Sequence, residues 1–467
     1  MPIYPNSGGS TTPTGADKSP ATGNGATAAG FVTLFKPDNK YVWIYVASLA
    51  IVTSILYFWH FQNNYFPDSG SYIVPARNLV AGHGFTDAQQ HPETVRTPGY
   101  PLLIVLFLWS GLTLKSLIVL QHVLRVTLVL AGTAFMVGFT GSRRKGLLTG
   151  IVLCLDFQLL EAANSLLTEM AFTTMIGAVL WLLWSESGRR SKPGLTCGAA
   201  GLLAGAAVLV RPAAVLFFLP AALYLLKARA EYRVRAAVVF VLLFLPLPLG
   251  WAARNYHETG VFTLSSIAGF NALFYRGAGA LAASDPGDFR QNFARRQQEL
   301  EVLACKGLER EYHQECGAIP FERKAAYYSR LGRYIVWHNP VGYGKAVVRG
   351  ALVMMLDGGA NTLTGITGVP WPVGMRVLMI YTVPLFCLAW LGLYAVWKNR
   401  RDFFWLAFLS IGYFVVISAG PEAYGRFRVP FIPVYIMLVI AGGDWAIRRL
   451  QSGAAPASHG HRGAGGG

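Results

Sequence analysis

Asp68 stands in Pro67-Asp68-Ser69-Gly70-Ser71-Tyr72, a lone carboxylate just downstream of the first long apolar run. Such a group can take the proton from an attacking hydroxyl, or it can cap the helix that a Ser-Gly turn introduces. Arg96, in Arg96-Thr97-Pro98-Gly99-Tyr100-Pro101, enters the next apolar segment. Its planar guanidinium can grip a phosphate through two parallel hydrogen bonds or rest on a lipid headgroup. Glu169 follows Leu166-Leu167-Thr168 at the head of another apolar run. There it is either a second functional acid or a residue favoured by the helix dipole. Arg211-Pro212 interrupts the apolar stretch from Gly194 to Leu226, where a charge is costly unless it faces a cavity or snorkels to the interface. Arg254-Asn255 and the segment Gly420-Pro421-Glu422-Ala423-Tyr424-Gly425-Arg426-Phe427-Arg428 add further cations.

What positions these residues follows from composition. The 467 residues are 53% hydrophobic and 13% charged, with a mean hydropathy of +0.41, which places most of the chain in lipid rather than water. A crossing needs about 20 apolar residues. Runs of that kind predict spans at 41–60, 117–140, 147–165, 169–187, 195–210, 212–227, 236–253, 375–397, 403–419 and 429–447. The expected fold is therefore all-α, polytopic, with about 10 (10–12) transmembrane helices. The strand alternation of a spanning β-barrel is absent.

The net charge of +17 is not spread along one basic face, so it does not indicate nucleic acid. It sits in short clusters between the apolar runs: Lys36 and Lys40, Arg143-Arg144-Lys145, Arg189-Arg190 with Lys192, Lys227 through Arg235, Lys398 with Arg400-Arg401, and Arg448-Arg449. Placing all of them in the cytoplasm gives one self-consistent path with both termini inside. The other side then carries loops 61–99 and 254–374, and every unusual polar residue falls on or near that side. Pro101 to Leu114 and Lys345 to Leu356 are expected as interfacial or re-entrant pieces. In the first loop, Tyr72, Ile73, Ala76, Leu79 and Val80 recur at helical spacing, predicting a helix lying flat at the interface that ends at Gly82 and Gly84.

Residues 1–35 and 451–467 are rich in small and polar types and are expected as disordered cytoplasmic tails flanking a transmembrane domain, 36–450. The first apolar run starts too late for a cleaved signal peptide and is long enough to span. Of five cysteines, Cys305 and Cys316 share the large outer loop, where a disulfide is possible. No metal-ligand spacing and no cofactor motif is present, although the carboxylates are compatible with a divalent cation. Asp156 and Glu161 fall in the third expected span, with Arg125 of the preceding span as the expected structural partner.

With these residues in place, the order Asp68-Ser69-x-Ser71-Tyr72, Ala76-Arg77-Asn78-Leu79, Gly82-x-Gly84-Phe85 and Arg96-Thr97-Pro98-Gly99-Tyr100-Pro101 resembles the GT-C superfamily of glycosyltransferases. More narrowly it is similar to the bacterial protein-mannosyltransferase and aminoarabinose-transferase-like branch. The likeness continues through Leu167-Thr168-Glu169, Arg211-Pro212, Pro248-Leu249-Gly250-Trp251 with Arg254-Asn255, and Arg426-Phe427-Arg428-Val429-Pro430. It weakens across 285–370. The resemblance implies an enzyme of the bacterial inner membrane that moves a sugar from a polyprenyl-phosphate donor to a lipid, glycan or protein acceptor on the periplasmic side. It puts the family's first-loop aspartate on Asp68, its phosphate-side basic residue on Arg96 and its second acid on Glu169. Many relatives have two adjacent acids in the first loop, whereas Ser69 follows Asp68 here, and some have a basic residue where Ser71 stands.

On that basis Asp68 is the expected general base of an inverting transfer. Arg96, Glu169, Arg211, Arg254, Tyr72, Arg77, Arg426 and Arg428 are the expected donor-phosphate and sugar contacts. The competing readings are a secondary transporter or lipid-linked-glycan flippase, which predicts inverted repeats that the chain lacks, and a glycan polymerase or ligase using a polyprenyl-diphosphate oligosaccharide. For the latter, Arg290, Arg295 and Arg296 of the outer loop are the fitting cations.

Overall fold

The computed structural model describes residues 40–62, 64–187, 195–227 and 232–453. The expected tail 1–35, most of the tail 451–467, and the basic residues Lys36, Arg189, Arg190, Lys192 and Arg229 lie outside the described residues. Among the described residues there is no strand, only an isolated bridge between Thr86 and Pro92.

The helices that carry the argument are α1 (Lys40–His60), α2 (Gly70–Val80), α3 (Gly99–Trp109), α4 (Leu114–Thr140), α5 (Arg143–Cys154), α6 (Phe157–Asn164), α7 (Glu169–Ser187), α8 (Leu195–Val210), α9 (Phe218–Lys227), α10 (Arg233–Phe244) and α11 (Pro246–Thr259). They continue as α12 (Phe289–Tyr312), α13 (Phe321–His338), α14 (Pro340–Leu356), α15 (Ala360–Thr367), α16 (Trp371–Asn399), α17 (Arg401–Ser418) and α18 (Ile432–Gly453).

Six helical stretches among the described residues are long and apolar enough to cross a membrane: Lys40–His60, Leu114–Thr140, Arg233–Thr259, Trp371–Asn399, Arg401–Ser418 and Gly425–Gln451. The pair α5 and α6, bent by 54°, makes a seventh if counted as one broken span. The remaining expected spans, 169–187, 195–210 and 212–227, coincide with shorter apolar helices, as does α3. The chain is a multi-pass membrane protein. Outward-facing Ile44, Tyr45, Ile51, Ile55 and Leu56 of α1 are exposed because lipid is their solvent.

At the centre lies α18, preceded by a helical turn, with Phe431, Ile432, Val434, Tyr435, Ile436 and Met437 all buried. It meets α16 at Gly392 and Gly442, which approach so closely that a Cβ on Gly392 would lie 3.0 Å from the backbone nitrogen of Gly442. Small residues allow such backbone contact where lipid supplies no hydrophobic drive between helices.

The break between α5 and α6 exposes helix-end groups that lipid cannot satisfy. Asp156 caps α6 by accepting from the Leu159 amide at 3.0 Å. Arg125, fully buried, donates to the Cys154 carbonyl at 2.5 Å, the Ala50 carbonyl at 3.1 Å and the hydroxyls of Ser54 and Thr53 at 2.7 and 3.1 Å. The expected pairing of Arg125 with Asp156 and Glu161 is therefore not formed. Carbonyls freed by the bend compete for the guanidinium, Asp156 pairs with Arg428 at 3.4 Å, and Glu161 takes a hydroxyl from Thr362 at 3.2 Å.

Between α11 and α14 the chain builds a small core of its own from Leu273, Phe274, Leu300, Leu308, Tyr328 and Ile335. Cys305 and Cys316 are joined there, with Cα atoms 5.3 Å apart. Arg295 and Arg296 both close on Asp285 at 2.8 Å. The Arg296 guanidinium, donating to that carboxylate, is the main reason the Asp285 carboxyl is held below its usual range. Arg290 lies over the Trp371 ring at 4.6 Å.

Candidate active site

Two backbone segments meet end to end. Asn64, buried, donates to the carbonyl of Asn164 at 2.8 Å, and its own carbonyl accepts from the Leu166 amide at 3.0 Å. Asn164 returns a hydrogen bond to the carbonyl of Phe61 at 2.9 Å. These amide contacts bind the loop that carries Asp68 to the turn that carries Glu169. Gln121 on α4 reinforces the turn by donating to the carbonyls of Ala163 and Ser165 at 3.1 and 2.7 Å, while accepting from the Tyr100 hydroxyl at 2.8 Å.

Asp68 ends in the first loop just before α2. Its backbone carbonyl accepts from Ser71, amide at 3.1 Å and hydroxyl at 2.6 Å. Among the described residues no backbone amide donates to its carboxylate, so Asp68 is not a helix cap. Its carboxylate instead meets two guanidiniums, Arg96 at 2.9 Å and Arg426 at 3.4 Å.

Arg96 is built from below. The buried carboxylate of Glu93 accepts from the amides of Val95 and Arg96 at 2.5 and 2.9 Å, which fixes the turn. Burial nevertheless pushes the Glu93 carboxyl above its ordinary range, against the pull of the two amides. Above the turn the Arg96 side chain donates to Ser71 at 2.8 Å and to the Tyr72 hydroxyl at 3.2 Å, and it covers the Tyr72 ring at 4.6 Å. Gly99, three residues on, is packed against α8: a Cβ there would sit 2.7 Å from the backbone of Leu209 and Val210. Only glycine lets the Arg96 segment lie so close to the segment that ends in Arg211.

Glu169 begins α7 with its side chain 2% exposed. Arg211 reaches it at 2.6 Å and Arg426 at 3.1 Å, the latter an ion pair without hydrogen-bond alignment. Arg211 also donates to the Thr168 hydroxyl at 3.3 Å and lies 5.5 Å from the centre of the Phe427 ring. Three guanidiniums against two carboxylates leave one positive charge in excess. Asp68 is the accessible acid of the group, its side chain 41% exposed where the arginines are 15–16% exposed.

Arg426 is held by its neighbour: the Gly425 amide donates to the buried carboxylate of Asp357 at 3.1 Å, which also accepts from Gly359 and Ala360. Asp357 carried no signal in the sequence, because nothing local to α14 announces a bond to a segment 68 residues away. Tyr275 was also missed. It lies in the wide helical turn Asn271–Gly277, within electrostatic range of Asp68, Glu422 and Arg426, and burial raises its hydroxyl above the usual value. A wide turn of this type often marks a functional region, but its sequence, Asn-Ala-Leu-Phe-Tyr-Arg-Gly, reads as ordinary helix.

Asp68, Tyr72, Arg96, Glu169, Arg211 and Arg426 are thus brought together from four regions of the chain. Arg254, Arg77 and Arg428 are not. Arg254 donates to the carbonyls of Glu93 and Phe85 at 2.9 and 3.2 Å, and so supports the turn under Arg96 from behind. Arg77 is exposed on α2 and makes no ion pair among the described residues. Arg428, although two residues from Arg426, points the other way, onto Asp156 and the carbonyl of Met355 at 3.1 Å. The arginines proposed for a larger glycan fare similarly, since Arg295 and Arg296 are consumed by Asp285 and Glu299.

No family model and no curated protein matches the chain. Solved structures do. The crystal structure of an Archaeoglobus fulgidus oligosaccharyltransferase tethered to an acceptor peptide superimposes with a TM-score of 0.51 at 12% identity, over 91% of this chain and 52% of that one. The chain shares the fold of that oligosaccharyltransferase's matched region. The archaeal oligosaccharyltransferase AglB from the same organism, in complex with an inhibitory peptide and a dolichol-phosphate, gives 0.50 at 12% identity, over 90% of this chain and 52% of that one. The chain therefore spans about half the length of the archaeal proteins it matches. ArnT from Cupriavidus metallidurans matches at a TM-score of 0.37 and 14% identity, over 85% of this chain and 77% of that one. No group of three or more His, Cys, Asp or Glu able to hold a metal ion occurs among the described residues.

Proposed function

We propose that the chain is a membrane glycosyltransferase that moves a sugar from a polyprenyl-phosphate donor to an acceptor hydroxyl with inversion. The observation that carries this reading is the cluster itself: one accessible carboxylate, Asp68, set among three guanidiniums that hold an excess positive charge. An unbalanced cation beside an open site is a place for a phosphate. The dolichol phosphate held by the archaeal protein of like fold is of the same chemical class.

In the proposed reaction the donor phosphate takes Arg96, and Arg426 in part, away from Asp68. The freed carboxylate accepts the proton of the acceptor hydroxyl as the oxygen attacks the anomeric carbon. The bond from that carbon to the phosphate oxygen breaks, and the charge gathering on polyprenyl phosphate is met by Arg96, with Arg426 behind it. Glu169, sealed between Arg211 and Arg426, keeps both guanidiniums aimed rather than touching the reacting atoms. Arg254 holds the turn of Arg96.

We place the site on the periplasmic side, with the termini in the cytoplasm. Lys145, Asp444, Arg400 and Arg448 gather at the opposite end of the bundle, as the positive-inside rule requires of a cytoplasmic face. The joined Cys305 and Cys316 fit an oxidising compartment for the outer loop.

The test is transfer from radiolabelled polyprenyl-phosphate sugars, in detergent and in proteoliposomes, to a mixed lipid and glycan extract. Wild type transfers and Asp68→Asn does not, while the variant keeps its thermal unfolding profile. Full activity in the variant overturns the role of Asp68. Movement of substrate across the bilayer without transfer from any donor favours a transporter.

A further inference from the structure

Beside the arginine cluster lies a cavity of about 190 Å³. Its walls are Tyr57, Phe61 and Phe66 on the aromatic side and Glu161, Asn361 and Thr362 on the polar side. At about 30 Å³ per water it has room for roughly six waters, the scale of one small ring rather than of a lipid tail.

Its polar groups are ordered as a chain. The Tyr57 hydroxyl lies 3.1 Å from that of Thr362, which donates to Glu161 Oε2 at 3.2 Å. Glu161 Oε1 has no hydrogen-bond partner among the described residues, and no ion pair involves Glu161 there. A carboxylate with one oxygen held and the other open on a cavity calls for a donor from a ligand. Glu161 belongs to no group of three or more His, Cys, Asp or Glu able to hold a metal ion among the described residues. Carboxylate and amide acceptors facing aromatic rings suit a ring that carries hydroxyls at its edge and C–H bonds on its face.

The cavity also sits where such a ring would have to be. Phe66 is two residues before Asp68, and Ser165, which lines the cavity floor with Asn164, is four before Glu169. Arg426 and Glu169 are both within electrostatic range of Glu161. We propose that this cavity is the sugar subsite, with Glu161 accepting hydroxyls of the sugar while the phosphate rests on the arginines. The proposal rests on the polyprenyl-phosphate donor reading and assigns a selectivity-determining residue to it.

The experiment is native mass spectrometry of the purified full chain in detergent. It is titrated with undecaprenyl phosphate and with the same lipid phosphate carrying mannose, glucose or N-acetylglucosamine. Wild type binds at least one sugar-bearing lipid about tenfold more tightly than the bare lipid, the scale of one charge-assisted hydrogen bond. In Glu161→Gln that ratio collapses toward one while the affinity for the bare lipid is unchanged. Thr362→Val, which removes the donor holding Glu161, lowers the ratio in the same direction and covers the case in which the first variant does not fold. A wild-type ratio of one for every sugar, or a ratio that survives both substitutions, overturns the sugar subsite and leaves the donor class standing. Wild type that binds neither the bare nor any sugar-bearing lipid overturns the donor reading and the subsite together.

Discussion

Asp68 and Glu169 share one guanidinium: Arg426 lies 3.4 Å from the first carboxylate and 3.1 Å from the second. The planar guanidinium spans the two acids with donors fixed in a rigid fork, whereas an ammonium is a compact point charge whose donors radiate from one atom. Arg426→Lys therefore keeps the charge and loses the link. Turnover in that variant is expected to fall by about 10- to 100-fold, the worth of one charge-assisted hydrogen bond. Steady-state transfer assays decide it, and a lysine variant as active as wild type would mean that the link is incidental.

Glu169→Gln tests the sealed acid. It takes the counter-charge from Arg211 and leaves Arg426 to Asp68 alone, and breaking a buried ion pair costs about 3–5 kcal/mol. Asp68→Asn removes a carboxylate that is 41% exposed, where pairing contributes about 0–1 kcal/mol. Thermal unfolding in detergent should separate them: a marked loss of melting temperature for Glu169→Gln, and almost none for Asp68→Asn. Equal losses would contradict the division into a positioning acid and a reacting one.

Gly99→Ala probes the contact between the segments of Arg96 and Arg211. The new methyl would meet backbone atoms of Leu209 and Val210 at 2.7 Å, and backbone cannot rotate away as a side chain can. The two segments must part, and a displacement of about 1 Å can cost about a hundredfold in rate. The expected signature is a fall in kcat with the protein still folded and inserted, and unaltered kcat would show that the approach is not needed.

The outer helices should loosen in acid through Asp285. The Arg296 guanidinium beside it holds this carboxyl below 3.8, its ordinary value. A depressed carboxyl contributes stability that is present above the unfolded value and lost as pH falls through the folded one. Amide exchange across Phe289–Tyr312 is therefore expected to quicken below about pH 3.8 in wild type. In Asp285→Asn it should be fast already at pH 7 and change little on acidification.

The principal members of the cluster are legible in the sequence because each breaks a local rule. Arg211 interrupts an apolar run, Asp68 and Glu169 are isolated acids at the ends of others, and Arg96 leads into a proline-flanked glycine. What the sequence does not resolve is direction. Arg426 and Arg428 are two residues apart in a helical turn, so they point to different sides, one to Asp68 and Glu169 and the other to Asp156. Arg254 and Arg96 look alike in sequence, yet one supports the other from behind. The bend at Asp156 was invisible because its apolar flanks read as one continuous span, and with it went the true partners of Arg125. Span counting met the same obstacle, since an apolar helix of 10 to 17 residues satisfies composition without satisfying length.

The reciprocal amide bonds between Asn64 and the Asn164 turn also determine how the protein answers to its bilayer. Helices tilt to match the thickness of the membrane that holds them. The two acids are not free to move independently, because the segment before Asp68 and the turn before Glu169 are hydrogen-bonded to one another. Membranes of different thickness can then alter how a lipid substrate enters while the spacing of the reacting groups stays constant. Reconstitution in short- and long-chain lipids should accordingly change KM and spare kcat.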